Sequence, residues 1–324
     1  MSTLQLLLER AVQVRGNLVG RLQAEGTDCW RVFHGVAEGR PGLAVDRYGP
    51  LLLAQLFHGE LEPEDLQALQ SLAEDQELRL VVWRRGQGRG APDMDSGLTC
   101  CEEGQRFALA ERSPGLDPWL FLDFRAARRW LRAHVPADAS VLNLFAYTCT
   151  AGVAAARQGA EVWNVDFGRW CLEVGGRNQD LNGLDPERFH FWREDVFPIL
   201  WQLSGKGVRG RAARREFLRV EPRLFDVVVL DPPTLARSPF GKVDLVADYP
   251  AMLKPCLLAL RPGGRILATN HAAGVDRETW EQVLRRTAEK AGRELLALQF
   301  LAPEEDFPSP DGQPPLKIAI LSAG

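Results

Sequence analysis

Methionine, tyrosine and histidine are scarce in this 324-residue sequence, with three, three and five copies. Six cysteines are present: Cys29, Cys100, Cys101, Cys149, Cys171 and Cys256. None forms a C-x-x-C pair, adjacent Cys100 and Cys101 suit no mutual disulfide, and the scattered histidines complete no zinc pattern. No apolar run approaches the roughly 18 to 20 residues that a membrane helix needs. The opening MSTLQLLLERAVQVRG lacks the basic region, apolar core and small-residue site of a signal peptide. The expectation is a reduced, cytoplasmic protein without structural metal or membrane span. Lysine is also rare, since 34 of the 39 basic residues are arginine. Against 43 acidic residues the net charge is −4. That total argues against a nucleic-acid partner. The arginine excess suits planar recognition of phosphates and bases, or reflects an arginine-biased genome.

What is present is ordinary for a folded chain: 45% apolar and 25% charged residues exclude disordered, collagen-like and coiled-coil classes. The length predicts two domains. Leu4, Leu7, Leu8, Ala11, Val14 and Leu18 recur at helical spacing. Strands are expected over 30–36, 42–49, 51–57 and 78–85, with a hairpin turn at Tyr48-Gly49-Pro50 and a helix over 63–75. GQGRGAPDMDSG (86–97) reads as a glycine-rich loop, and SPGLDP (113–118) as a boundary. The expected division is a small α+β domain over 1–118 and a second domain over 119–324. In the second, strand candidates 140–147, 161–166, 189–192, 225–231 and 265–270 alternate with helices, the pattern of a parallel sheet. Two closing strands follow near 294–302 and 315–323, separated by a proline-rich surface loop at 303–315.

Ligands of doubly wound sheets bind beyond the carboxyl ends of the strands, and the unusual residues lie at those ends. Asn143 and Tyr147 to Gly152 leave the first strand, Asp166 ends the second, and Asp195 follows the third. Asp231-Pro232-Pro233-Thr234 ends the fourth, and Asn270-His271 the fifth. Asp166 stands about 20 positions after the first strand, where an acceptor for ribose hydroxyls belongs. A dinucleotide would also need G-x-G-x-x-G, which NLFAYTCTAG lacks. S-adenosylmethionine has a ribose but no phosphate and fits better. Asp195 reads equally as an adenine contact or a helix cap.

FLDFRAARRWL (121–131), NLFAYT (143–148), VDFGRWCLEVGGRNQDLNGL (165–184), EDVF (194–197) and DPPT (231–234) resemble S-adenosylmethionine-dependent ribosomal RNA methyltransferases. The likeness is nearest to the 7-methylguanosine-forming half of a bifunctional bacterial enzyme acting on the large subunit. Relatives that make 5-methylcytosine come next. The resemblance implies a Rossmann-like class I sheet of seven strands, the last antiparallel, behind a small α+β domain. It implies Asp123 and Arg125 at the methionine end of the donor, and Asn143, Phe145, Tyr147 and Thr148 lining its pocket. Asp166 would hold the ribose, Asp195 the adenine, and Asp231, Pro232 and Pro233 the reacting centre. Arg125 reads alternatively as one of several helix-surface arginines. Two departures stand out. Relatives usually carry glycine where this chain has Cys149, and if that position needs φ > 0 the cysteine costs roughly 1 kcal/mol or more. The cysteine that attacks cytosine in 5-methylcytosine enzymes is missing after the fifth strand, which reads Ala268-Thr269-Asn270-His271. Direct transfer to a guanine nitrogen, with Asn270 holding a guanine edge, is therefore the expectation; His271 reads as a packing or surface residue, with an acid/base role as the alternative.

Segment 204–223 holds Lys206, Arg209, Arg211, Arg214, Arg215, Arg219 and Arg223 against Glu216 and Glu221, a net +5. It is expected to bind RNA phosphates through Arg209, Arg211, Arg214 and Arg215. Arg79, Arg84, Arg85 and Arg89 interleave with Trp83, which either stacks on bases or packs in a core. The expected partner is large-subunit ribosomal RNA, bound by a monomer or homodimer. A non-catalytic assembly protein and a small-molecule methyltransferase are the rival readings.

Overall fold

A computed structural model describes residues 2–84, 97–109, 117–309 and 311–324. Most of the glycine-rich loop, Arg85, Arg89 and residues 113–116 of the expected boundary lie outside the described residues. The chain forms two compact units, Met1–Asp123 with Glu304–Gly312, and Phe124–Pro303 with Gln313–Gly324.

In the first unit, α1 (Thr3–Ala24) is capped by the Ser2 side chain, which accepts the Gln5 N–H. Its apolar stripe buries Leu4, Leu8, Ala11, Leu18 and Leu22, whereas Val14 is exposed and Arg15 takes the buried position beside it. That stripe packs with α2 (Pro63–Asp75) against the sheet β1 (Cys29–Phe33), β2 (Leu43–Tyr48), β3 (Leu51–Leu56) and β4 (Arg79–Arg84). The β2–β3 hairpin turns at Gly49-Pro50, with Gly49 at φ 53°. β3 pairs in parallel with β4 across α2, a βαβ unit. A ribbon of β5 (Thr99–Glu102) and β6 (Gln105–Ala108) completes the strands. Trp83 is buried against Trp119 at 5.2 Å, so it belongs to the core and offers no stacking face. The expected surface loop near 303–315 is a loop, exposed or half-buried along most of its described length but anchored at two residues. Asp306 and Phe307 are buried: Asp306 accepts the Arg31 N–H at 2.9 Å, and the Arg31 guanidinium lies 4.5 Å over the Phe307 ring.

The second unit opens with α3 (Arg125–His134) and then alternates: β7 (Ser140–Leu144), α4 (Thr150–Ala156), β8 (Glu161–Asp166), α5 (Arg169–Leu181), β9 (Phe189–Arg193), α6 (Val196–Leu203) and β10 (Phe225–Leu230). A short hairpin, β11 (Leu235–Arg237) and β12 (Lys242–Asp244), precedes α7 (Tyr249–Leu258), β13 (Leu260–Asn270), α8 (Arg277–Ala291), β14 (Leu295–Leu301) and β15 (Lys317–Ala323). The sheet order is β14-β15-β13-β10-β7-β8-β9, parallel except for β15, which runs antiparallel to both neighbours. This is the expected seven-stranded class I arrangement. Central strands β7 and β10 bury almost every residue, which is why they read as continuous apolar runs rather than alternating ones. The order reverses between β7 and β10, and the crevice at their carboxyl ends is the switch point of such sheets. Among the described residues, no helix is long and apolar enough to cross a membrane.

Candidate functional site

The turn from β7 into α4 is the most strained backbone in the described chain. Of the five non-glycine residues there with left-handed φ, three fall within it: Phe145 (57°), Tyr147 (48°) and Cys149 (61°). Aromatic residues adopt that region at a cost, and such strain persists only where neighbours hold it. Asp166 supplies much of the hold. Its Oδ2 accepts the Tyr147 N–H at 2.9 Å and its Oδ1 accepts the Gly168 N–H at 2.7 Å. Burial raises this carboxyl above the usual range, outweighing the two N–H groups that favour its charge. A carboxylate offers about four acceptor positions, so two remain for the hydroxyl pair of a ribose. Phe167, the next residue, is 66% exposed and offers a ring face at the same strand end. These groups fit S-adenosylmethionine, whose ribose and adenine need an acceptor pair and a flat apolar surface.

Other residues brace the loop, and two of them, Asn178 and Asn164, were not singled out in the sequence. Asn178 of α5, fully buried, donates to Thr148 O at 2.9 Å. Asn143 is buried and donates to Asn164 Oδ1 at 2.8 Å, while Asn164 donates to His190 O. A Cβ on Gly152 would come within 2.2 Å of that Asn164 oxygen, so the glycine lets α4 settle on the amide ladder. Asn143 therefore supports the loop from beneath. Cys149 is buried with its thiol pushed well up by burial, beside Gly175 of α5.

Asp195 caps α6 by accepting the Phe197 N–H at 2.8 Å. Its carboxyl is raised by burial, against favourable bonds from Ser238 and Phe197. The capping alternative is thus realised, and Ser238 shares the carboxylate with the helix N-terminus. Asp231, half-buried at the end of β10, is held by the Thr269 hydroxyl. Pro232 is buried and Pro233 half-buried, which fixes the turn. Tyr249, whose hydroxyl donates to Thr269 O at 3.0 Å, completes the support.

Asn270 is a correction. It is fully buried, donates to Leu245 O at 3.3 Å, and accepts the Ala272 N–H at 2.9 Å. Both ends of its amide close the chain beneath the Asp-Pro-Pro turn, so it positions backbone and presents no edge to a guanine. His271 is half-buried, and burial followed by the Lys317 charge lowers its pKa. Arg125 is fully buried, as are Arg128 and nearly Arg132, so the helix-surface alternative fails. Asp123 sits in the first unit, where its charge favours the Arg31 cation.

The basic segment is an exposed loop with one short 3-10 turn, Ala212–Arg214. Arg209, Arg211, Arg214 and Arg215 are all exposed. Its middle meets the strand ends: Glu194 Oε2 accepts the Leu218 N–H at 2.6 Å, and Phe217 packs edge-on against Phe240 of the β11–β12 turn at 6.1 Å.

Ribosomal RNA large subunit methyltransferase I of Aeromonas salmonicida (strain A449) is 28% identical over 314 residues, covering 93% of this chain and 74% of that protein. The protein of the same name from Klebsiella pneumoniae (strain 342) is 26% identical over 299 residues, covering 88% and 71%. The crystal structure of SMU.776 complexed with SAH superposes with a TM-score of 0.79 at 22% identity, covering 98% of this chain and 80% of that one. A SAM-dependent methyltransferase from Agrobacterium tumefaciens gives 0.66 at 21% identity, covering 92% and 90%. At these identities the solved structures speak for the fold. The expected order of likeness is also revised, because these curated relatives do not bear the name of the 7-methylguanosine enzyme. Residues 30–321 match the family described as S-adenosylmethionine-dependent methyltransferase, and the chain belongs to it.

Proposed function

We propose that this methyltransferase acts on a base of large-subunit ribosomal RNA, with Asp166 holding the donor ribose, Asp195 beside its adenine and Asp231-Pro232-Pro233 at the reacting centre. The observation that carries this reading is the strained donor loop tied to Asp166 by the Tyr147 N–H. Bound S-adenosylmethionine supplies a methyl group on a sulfonium. Asp231, oriented by Thr269, accepts an exocyclic amine or ring N–H and brings the target in line, so orientation supplies most of the rate. The names of the curated relatives support the ribosomal substrate.

Two readings of the target atom rest on different observations. The curated relatives favour the 5-methylcytosine alternative over 7-methylguanosine. Against that, attack on cytosine needs a thiolate, and the strand end carries Asn270 and His271. The buried Cys149 and Cys256 thiols are both pushed up by burial, away from thiolate. Direct transfer to a base nitrogen needs neither. Nucleoside mass spectrometry of large-subunit RNA incubated with enzyme and donor decides: a methylated guanine supports direct transfer, and 5-methylcytosine supports the other reading. Donor binding without any methylated nucleoside would overturn the RNA-methylating function.

A further inference from the structure

Between Trp192 and residues 218–223 lies an open groove of about 500 Å³, within the range that holds a small ligand. One wall is an extended segment fastened from below. The mostly buried Gln202 donates to Leu218 O at 2.9 Å and accepts the Val220 N–H at 3.3 Å. Glu194 takes the Leu218 N–H. Arg219, Glu221 and Arg223 are exposed along that fixed backbone. The other wall is Trp192 on the edge strand β9, tilted against Trp163 at 6.4 Å.

The chemistry of these walls is selective. The Arg223 guanidinium lies 3.9 Å over the Trp163 ring and meets Glu161 at 3.7 Å, a long ion pair. Arg219 lies 4.2 Å over Phe217. An indole face beside two guanidinium groups favours a flat ring joined to a negatively charged group. The net +5 of residues 204–223 draws a polyanion to this edge. Trp192 pairs with Val165, one position before Arg193 pairs with Asp166, so the groove begins near the donor end of the sheet. It lies three strands from β10, about 14 Å. That separation excludes the methylated base itself.

We propose that the groove holds an unpaired nucleotide flanking the target, its base against Trp192 and its phosphates against Arg219 and Arg223. The proposal rests on the RNA reading above. The test is fluorescence anisotropy of a short labelled oligoadenylate with the full chain saturated in S-adenosylhomocysteine. Trp192→Ala is expected to weaken binding roughly tenfold, and Trp192→Phe to retain most of it. Arg219→Gln should flatten the salt dependence, with donor affinity by calorimetry unchanged in all three. If Trp192→Ala melts early, the Trp192→Phe and Arg219→Gln pair carries the test. Arg219→Gln binding as tightly as wild type, or a properly folded Trp192→Ala doing so, overturns the groove. The RNA reading fails separately, when wild type binds neither oligoadenylate nor ribosomal RNA.

Discussion

The Tyr147 N–H donates to Asp166 Oδ2 at 2.9 Å, so the proposed ribose acceptor also holds the loop in which its ligand sits. Binding and loop geometry are therefore inseparable at this carboxylate. Asp166→Asn puts an amide donor where one of two backbone N–H groups now finds an acceptor. Leaving that N–H unpaired costs about 1–3 kcal/mol. The variant should melt earlier and bind donor at least tenfold more weakly in a calorimetric titration. Burial also raises the Asp166 carboxyl, and only the ionised form accepts at all four positions. Donor affinity should therefore be lost on acidification while ordinary surface carboxylates are still charged. Affinity that stays flat down to the usual carboxylate range would remove Asp166 from the ribose site.

Cys149 and Gly175 form a second coupled pair. Cys149 occupies a left-handed position at φ 61°, and a Cβ on Gly175 would come within 2.5 Å of its sulfur. Gly175→Ala alone should destabilise by about 1–3 kcal/mol, the cost of overpacking a filled core. In a Cys149→Gly background the same change should become neutral or stabilising, because alanine outranks glycine inside a helix by about 1 kcal/mol. Thermal melts of wild type, the two single variants and the double variant give the coupling directly. Equal effects of Gly175→Ala in both backgrounds would mean that the thiol does not set the space.

Thr269 is buried with its hydroxyl on Asp231, the proposed reacting centre. Thr269→Val keeps the shape and removes the bond. Methylation kcat should fall roughly tenfold, the scale of one lost hydrogen bond to a charged group, with little change in donor affinity. A fall in donor affinity with kcat intact would assign Thr269 to donor binding instead.

These positions show which parts of the molecule could be read from the sequence. The strands were legible because β7, β8 and β10 are buried on both faces and are mostly apolar without strict alternation. Asp166 was legible because its distance from the first strand is set by one intervening helix. Asn178, Gln202 and Glu194 were not, since a polar residue on a helix or in a loop does not reveal which distant backbone it will meet. Asn270 was misread for the same reason: its partners include Leu245, 25 positions away, and the sequence shows only the amide. The β11–β12 hairpin is too short and polar to announce itself. The proline-rich stretch near 303–315 read as a surface loop, but its anchor was hidden, since Asp306 meets the Arg31 amide 275 residues away.

Far from the strand ends proposed to hold the donor, Asp226 accepts both the N–H and the hydroxyl of Ser140 at 2.7 Å, and Arg261 approaches at 3.1 Å. Burial pushes this carboxyl up, but the Ser140 bonds and then the Arg261 charge outweigh it and leave it below its usual range. A lowered folded pKa means that the ionised group stabilises the fold. That contribution is complete above the unfolded carboxylate pKa and disappears as pH falls through the folded value. Asp226→Asn should lower Tm at neutral pH, and its gap to wild type should narrow below about pH 4. Donor affinity at neutral pH should match wild type. A gap that stays constant into acid would assign the effect to packing.

Arg214 and Arg215 are exposed, and neither lies among the donor contacts. Phosphate neutralisation releases counterions, so each such contact adds about 0.7 to the slope of log affinity against log salt for a single strand. Arg214→Glu with Arg215→Glu should weaken ribosomal RNA binding, with a slope shallower by about 1 to 1.5 if both contacts are made. Thermal melting and donor titration should match wild type, because neither side chain supports the core. Methylation at subsaturating RNA should fall with the binding. Undiminished activity and an unchanged slope would point to a small-molecule acceptor, and the clustered arginine would then be compositional bias.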